Sequence, residues 1–418
     1  MISDVDDVKM ILCNENDQKK GILYDNLKPW LGTGLLTSSG KKWKIMRKII
    51  TSAFHFSILR QYLEIFSKNS TVMMYNLSRC DIKKFFHLNN FITYCALDSI
   101  YETSMGTCIN SQINKTESDY VKAIFRIGQI IVKRIFSPHL YADYLFNLSS
   151  LGRENSKLLK ILHETTTNII QERKKKMALE NQRESFEING GGERKMNFLN
   201  LLLEKQKIYK FSDVDIRYEV DTILMAGHDT TSTALNWCFF ELGLNKKIQN
   251  KVHEELKNIF GDSNREPTYE DIIKMEYLKR VILETLRLYP SVPVISRKFD
   301  VDIRLKNYTI PANTEIVLMI FIIHRNSNIF PKPDKFDPDR FKLDVLKKRN
   351  PFAFIPFSAG SRNCLGQKYA MLQMLVLSSY ILRKYKIKTI NSRKTVKPVP
   401  DVILRPNVEL KWKLIPKT

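Results

Sequence analysis

The chain has no apolar run approaching the ~18 residues that a membrane-crossing helix needs, so as written it is not expected to span a bilayer. Its start does not read as a secretory signal either, since Met1 leads directly into Ser3, Asp4, Asp6 and Asp7. Cysteine is scarce. The six (Cys13, Cys80, Cys95, Cys108, Cys238 and Cys364) show no C-x-x-C spacing and no regular framework. A chain this long with such cysteines reads as one from a reducing compartment, with at most one thiol in special chemistry. Sequons such as Asn69-Ser70-Thr71 carry little weight without a signal. No internal repeat is found. Acidic residues are also few, 44 against 67 Lys plus Arg, for a formal charge of +23. The basic residues are dispersed, with only short runs such as Arg173 to Lys176. A dispersed excess of this kind is more often a solvated surface than a nucleic-acid site, and its functional use reads as attraction to an acidic membrane surface or an acidic protein partner.

What is present is a core. Hydrophobic residues make up 43% and aromatic residues 11% of 418, enough for one large domain or two ordinary ones and too much for disorder. Ser3-x-x-Asp6 reads as a capping box before Val5, Val8, Ile11 and Leu12 at helical spacing. Leu31 to Gly34 reads as a loop, Lys41 to Leu63 as helix, and Tyr120 to Lys176 as helix with short breaks. Glu180 to Lys195, with three consecutive glycines, reads as a mobile surface loop. Ser212-x-x-Asp215 caps a helix that meets no proline before about Leu244, roughly 50 Å at 1.5 Å per residue. Thr268-x-x-Asp271 caps another, stopped after Tyr289 by Pro290 and Pro293. Short β-branched runs follow (Val292 to Ile295, Thr309-Ile310, Ile316 to Ile323), then a proline-rich aromatic segment, Phe330 to Phe341. A helix spans about Gln367 to Tyr385, and Val402, Leu404, Val408, Leu410 and Trp412 alternate as strands do. The fold class is mainly α with a smaller β portion.

The segment Phe357-Ser358-Ala359-Gly360-Ser361-Arg362-Asn363-Cys364-Leu365-Gly366 carries the chemistry. An isolated cysteine is usually a buried, inert one. A thiolate presented to a metal needs nearby N–H groups and a following helix N-terminus to keep it deprotonated. It also needs a tight backbone turn, which Gly360 and Gly366 permit, and an apolar wall, which Phe357 supplies.

These ten residues match the F-x-x-G-x-R-x-C-x-G signature of the cytochromes P450 at every specified position, and the chain resembles that family. The resemblance implies Cys364 as the thiolate ligand of haem iron and Arg362 as a partner of a haem propionate. It implies the cytochrome P450 fold, with haem between the long central helix and the Cys-ligand loop.

Other motifs follow in family order. Glu284-x-x-Arg287 alone is an i,i+3 ion pair of little weight. With Phe336-Asp337-Pro338-Asp339-Arg340-Phe341, where Asp339 stands for the usual Glu, the resemblance implies a structural Glu284–Arg287–Arg340 network. Ala226-Gly227-His228-Asp229-Thr230-Thr231 lies mid-helix, where Gly costs about 0.5–1 kcal/mol relative to Ala. A helix kink with ordinary polar packing is the plain alternative; the resemblance implies an oxygen-binding groove in which Thr230 and Asp229 relay protons. Trp43-x-x-x-Arg47, otherwise packing plus a solvated cation, is implied to face a propionate, as is Arg297. The run from Glu219 to Thr231, Leu35 to Trp43, and Ala53 to Phe56 are similar to family-4 members, with an insect-like character. There Ala226 stands where Glu, in some members haem-linked, is usual. The expected cofactor is therefore non-covalent haem b.

Relative to the family, the chain is expected to be a single domain over 1–418 lacking the membrane anchor, hinge and first strands. The resemblance implies an endoplasmic-reticulum monooxygenase, facing the cytosol, that inserts one oxygen atom into a fatty acid, hydrocarbon, hormone or xenobiotic. Its expected partners are NADPH-cytochrome P450 reductase, cytochrome b5, a lipophilic substrate and the membrane surface, with no nucleic acid. Pocket walls are expected at Met225, Ala226, Val294, Ile295 and the loop before Trp43. The alternatives are a catalytically incompetent haem-binding fragment and a peroxide isomerase on the same fold.

Overall fold

The computed structural model describes residues 1–16, 18–81, 84–114, 119–186 and 197–417, with the backbone alone at 56, 57, 114 and 181–186. Two compact units share the chain. One comprises Met1–Gly21, Leu59–Ala96 and Gly227–Thr418, the other Ile22–Ile58 and Leu97–Ala226.

In the first unit, helix Val5–Leu12 starts because the Asp4 carboxylate accepts the N–H groups of Asp6 (3.0 Å) and Asp7 (3.1 Å). The cap is thus one residue later than the Ser3 box, on a side chain that can serve two orphan amides at once. Its apolar stripe (Val5, Val8, Ile11, Leu12) packs with Ile295, Phe299, Leu318, Phe330 and Ile355 in one buried cluster. All strands in this unit pair antiparallel, two by two: Ile295–Arg297 with Ile316–Leu318, Ile303–Arg304 with Thr309–Ile310, Tyr385–Thr389 with Trp412–Pro416, and Pro398–Pro400 with Leu404–Pro406. Ile2 adds a parallel bridge at Leu318. Several expected strands are shorter. Ile316 to Ile323 ends as strand at Leu318 and continues as a helical turn, Ile320–Ile323; Val402 and Val408 lie outside the strands. Helix Gln367–Lys384 packs against Lys246–Phe260 and Glu276–Leu288.

The helix expected from Thr268 to Tyr289 is two helices, Tyr269–Lys274 under the Thr268–Asp271 capping box and Glu276–Leu288. The second start is capped by the distant Glu255 carboxylate, which accepts from the Tyr277 and Leu278 amides. No local pattern announces such a cap.

In the second unit, helix Gly40–Ala53 packs on Phe198–Tyr209, and Asp119–Ile135 lies along Ser150–Phe186. The helix expected from Lys41 to Leu63 breaks at Phe54-His55, before a new helix from Phe56 to Ser78. In its last turns Thr51 Oγ1 and Ser52 Oγ donate back to the Arg47 (2.6 Å) and Ile49 (2.8 Å) carbonyls, which competes with the helical ladder. The loop expected at Glu180 to Lys195 is helical as far as Phe186; its remainder, 187–195, lies outside the described residues. The helix Asp213–Leu244 is continuous, with Ser212 and Asp215 exchanging cap bonds (Ser212 N to Asp215 Oδ2 2.9 Å, Asp215 N to Ser212 Oγ 3.1 Å). Its first half belongs to this unit and its second half to the other.

Candidate active site

The Cys364 loop is folded by its own backbone. The Cys364 N–H donates to the Phe357 carbonyl (2.8 Å) and the Asn363 N–H to the Gly360 carbonyl (3.2 Å). Gly360 has φ +70°, and a Cβ there would meet the Leu12 carbonyl oxygen at 1.9 Å. Only glycine fits that position. The loop's approach is fixed by buried His324, whose Nε2 accepts from the Ile355 N–H at 2.9 Å. Burial and the Arg287 guanidinium lower the His324 pKa to about 3, so the ring is neutral and free to accept. Phe357 is half-buried, whereas Cys364 is exposed two residues ahead of the Gly366 cap of helix Gln367–Lys384. An accessible thiol at a helix N-terminus is placed to be stabilised as thiolate.

Beside it stand cations from three segments. Arg362 and Arg297 are buried, the latter donating to Gln18 Oε1 (3.1 Å) and the Ser296 carbonyl (2.8 Å). Half-buried Lys20 has its pKa lowered well below the usual range by burial and by the charges of Arg297 and Arg362. Two buried guanidiniums, each within electrostatic reach of Lys20, suit the dicarboxylate edge of a haem, and the accessible thiol suits its iron. The residues present fit the group.

The helix adds an open stripe. From Glu219 to Leu242 every residue is buried except Ala226, Gly227 and Thr230, at i, i+1 and i+4 on one face. Asp229 is buried and forms an ion pair with Arg405, whose Nη2 donates to both carboxylate oxygens (2.9 and 2.7 Å). The Thr230 carbonyl accepts from Ser291 Oγ at 2.9 Å. Arg405, His324 and Lys20 carry no sequence signal of their own and were missed on reading the chain. Trp43 and Arg47 lie in the second unit on helix Gly40–Ala53, buried and half-buried respectively.

The Glu284–Arg287–Arg340 network is present as expected. Arg287 grips Glu284 through Nε (2.7 Å) and Nη2 (2.8 Å), both side chains fully buried, and Arg340 Nε lies 3.4 Å from Glu284. Arg287 also donates to the His324 and Lys335 carbonyls (3.0 and 3.2 Å), which ties the network to the residue that holds the cysteine loop.

A sequence profile of the family described as Cytochrome P450 matches residues 1–414. The chain is 42% identical to "Cytochrome P450 4c21" of Blattella germanica over 97% of its own length and 81% of that protein's. It is 39% identical to "Cytochrome P450 4c3" of Drosophila melanogaster over 98% and 78%, and 40% identical to "Cytochrome P450 4V2" of Pongo abelii over 96% and 77%. Among solved structures, "Crystal structure of cytochrome P450DA heme domain" superposes with a TM-score of 0.84 at 21% identity, covering all of this chain and 87% of that one. These matches, with a fold that agrees, place the chain in the cytochrome P450 family of haem monooxygenases.

Proposed function

We propose that the chain hydroxylates a lipophilic substrate, a fatty acid before a hydrocarbon, hormone or xenobiotic, with electrons from NADPH-cytochrome P450 reductase and with cytochrome b5 as an auxiliary donor. The overall balance is R–H + O2 + NADPH + H+ giving R–OH + H2O + NADP+. The observation that carries the proposal is the accessible Cys364 thiol, set by the Phe357 carbonyl and by Gly360 just before a helix N-terminus. When bound, haem b supplies dioxygen binding and one-electron chemistry. Cys364 would hold its iron, and Arg362, Arg297, Trp43 and Arg47 its propionates. Ala226 offers no carboxylate to esterify the macrocycle, so the haem is held without a covalent link. Phe357 limits water at the thiolate side.

Thr230 and Asp229 handle protons at the other side. Thr230 lies on the open stripe, and Asp229 is its neighbour in the helix. Together they form a path from solvent to the groove. The fatty-acid preference rests on the likeness of the Glu219 to Thr231 and Leu35 to Trp43 segments to family-4 members.

The +23 charge supports docking of an acidic reductase, and electron transfer should slow as salt rises. Exposed Phe136, Tyr141, Tyr144, Leu145 and Leu148, within one short stretch, support contact with a membrane surface, taken as the cytosolic face of the endoplasmic reticulum. Among the described residues no helix is long and apolar enough to cross a membrane. The test is turnover of dodecanoic acid by the haem-loaded chain with reductase and NADPH. A product heavier by one oxygen atom, absent without NADPH, is the expected result. Conversion of a hydroperoxide without reductase, and none of the fatty acid, would overturn it.

A further inference from the structure

We propose that Arg405 is a positioning residue for proton delivery, holding the Asp229 carboxylate through the C-terminal hairpin; this rests on the reading of Asp229 as a relay. The hairpin Pro398–Pro400/Leu404–Pro406 is fastened to the second half of the long helix directly at Trp237 and indirectly through Ser291. The Leu404 N–H donates to the Ser291 carbonyl (2.9 Å), and the Leu404 carbonyl accepts from Trp237 Nε1 (2.9 Å). Ser291 Oγ in turn donates to the Thr230 carbonyl (2.9 Å). Arg405 therefore reaches Asp229 from a fixed support, 176 residues away in sequence.

Its geometry is divided between two acids. Nη2 serves both oxygens of Asp229, while Nε lies 3.9 Å from Asp401 Oδ2 on the same hairpin. Asp229 is 5% exposed at its side chain, Arg405 25% and Asp401 15%. Burial raises the Asp401 pKa, with Arg405 opposing and Asp229 adding to the rise. With both Asp229 oxygens on one guanidinium nitrogen, Arg405 fixes the direction of that carboxylate, and turning it toward Thr230 requires the contact to loosen. Asp401 is the second anion toward which the guanidinium can lean. Arg405 thereby sets when Asp229 is released to accept a proton from solvent, hand it toward Thr230, and return to the paired carboxylate. No net bond is made or lost at either residue over the cycle.

A structural strap alone would make the same contacts, so the test reads proton delivery directly. Arg405→Gln, Arg405→Lys, Asp229→Asn and the double variant Asp229→Asn/Arg405→Gln are compared as full haem-loaded chains with reductase. The readouts are hydrogen peroxide released per NADPH, with dodecanoic acid and with no added substrate, and the solvent deuterium isotope effect on NADPH oxidation. Arg405→Gln should divert electrons to peroxide, lowering coupling by about an order of magnitude, part of what positioned proton transfer contributes. It should also enlarge the isotope effect. Arg405→Lys should lie between it and the parent, and the double variant should be no worse than Asp229→Asn alone. Parent-like coupling and isotope effect in Arg405→Gln, or additive losses in the double variant, would overturn the role of Arg405. If Arg405→Gln does not retain haem, Arg405→Lys decides: reduced coupling supports the role and parent coupling overturns it. Parent-like coupling in Asp229→Asn would instead overturn the relay reading underneath.

Discussion

Replacing Arg287 by Met should unfold much of what holds the cysteine loop in place. The guanidinium is fully buried, makes two charge-assisted bonds to Glu284 at 2.7 and 2.8 Å, and donates to the His324 and Lys335 carbonyls. Removing one partner of a buried pair costs about 3–5 kcal/mol, because the other is left in the interior. Arg340, 3.4 Å from Glu284, compensates part of that charge, and burial already raises the Glu284 carboxyl pKa against the pull of both arginines. The two carbonyls that lose their donor add about 1 kcal/mol each. A loss of roughly 4–6 kcal/mol results, a large share of the ~5–15 kcal/mol that stabilises a protein domain. Urea unfolding, followed by tryptophan fluorescence and by the haem absorption band, measures it. Glu284→Leu/Arg287→Met should be no less stable than Arg287→Met, since it removes the stranded charge. A loss below about 1 kcal/mol in the single variant would refute the reasoning.

Three further outcomes are expected. Glu219 and Asp221 are pushed up to about 8, chiefly by burial, so the folded chain keeps protons that the unfolded chain releases near pH 4. Stability should therefore fall as pH rises from about 5 to 8 and level off above; Glu219→Gln with Asp221→Asn should flatten that slope in thermal melts, and parallel curves would count against it. Gly360→Ala meets both a left-handed backbone and the Leu12 carbonyl, and should cost about 1–3 kcal/mol and disturb the thiolate spectrum, whereas Gly366→Ala faces open space and should do neither. Because Ala226 carries no carboxylate, denatured protein should have the mass of the polypeptide alone; mass spectrometry that finds haem retained would contradict non-covalent binding.

The long helix, the presence of a late β portion and the cysteine loop were legible because each is specified locally. The Ser212–Asp215 box, the proline-free run after it and the left-handed turn at Gly360 all act on neighbours in sequence. Long-range contacts were not legible. The Glu255 carboxylate that starts the helix at Glu276 is 22 residues from the Tyr277 amide it accepts. The Leu12 carbonyl that demands Gly360 lies at the far end of the chain. Asp229 was read as a groove residue beside Thr230, but its ion-pair partner, Arg405, sits in a strand whose alternation spoke only of packing. Side chains that bridge distant segments leave no period to detect, and those bridges surround the site.

The central claim is that Cys364 is the thiolate ligand of haem iron, and the carbon monoxide difference spectrum of the reduced, haem-loaded chain tests it most directly. A long-wavelength Soret band in the parent, absent in Cys364→Ala, is the predicted result. A short-wavelength band in the parent, or the same band in both proteins, would contradict it.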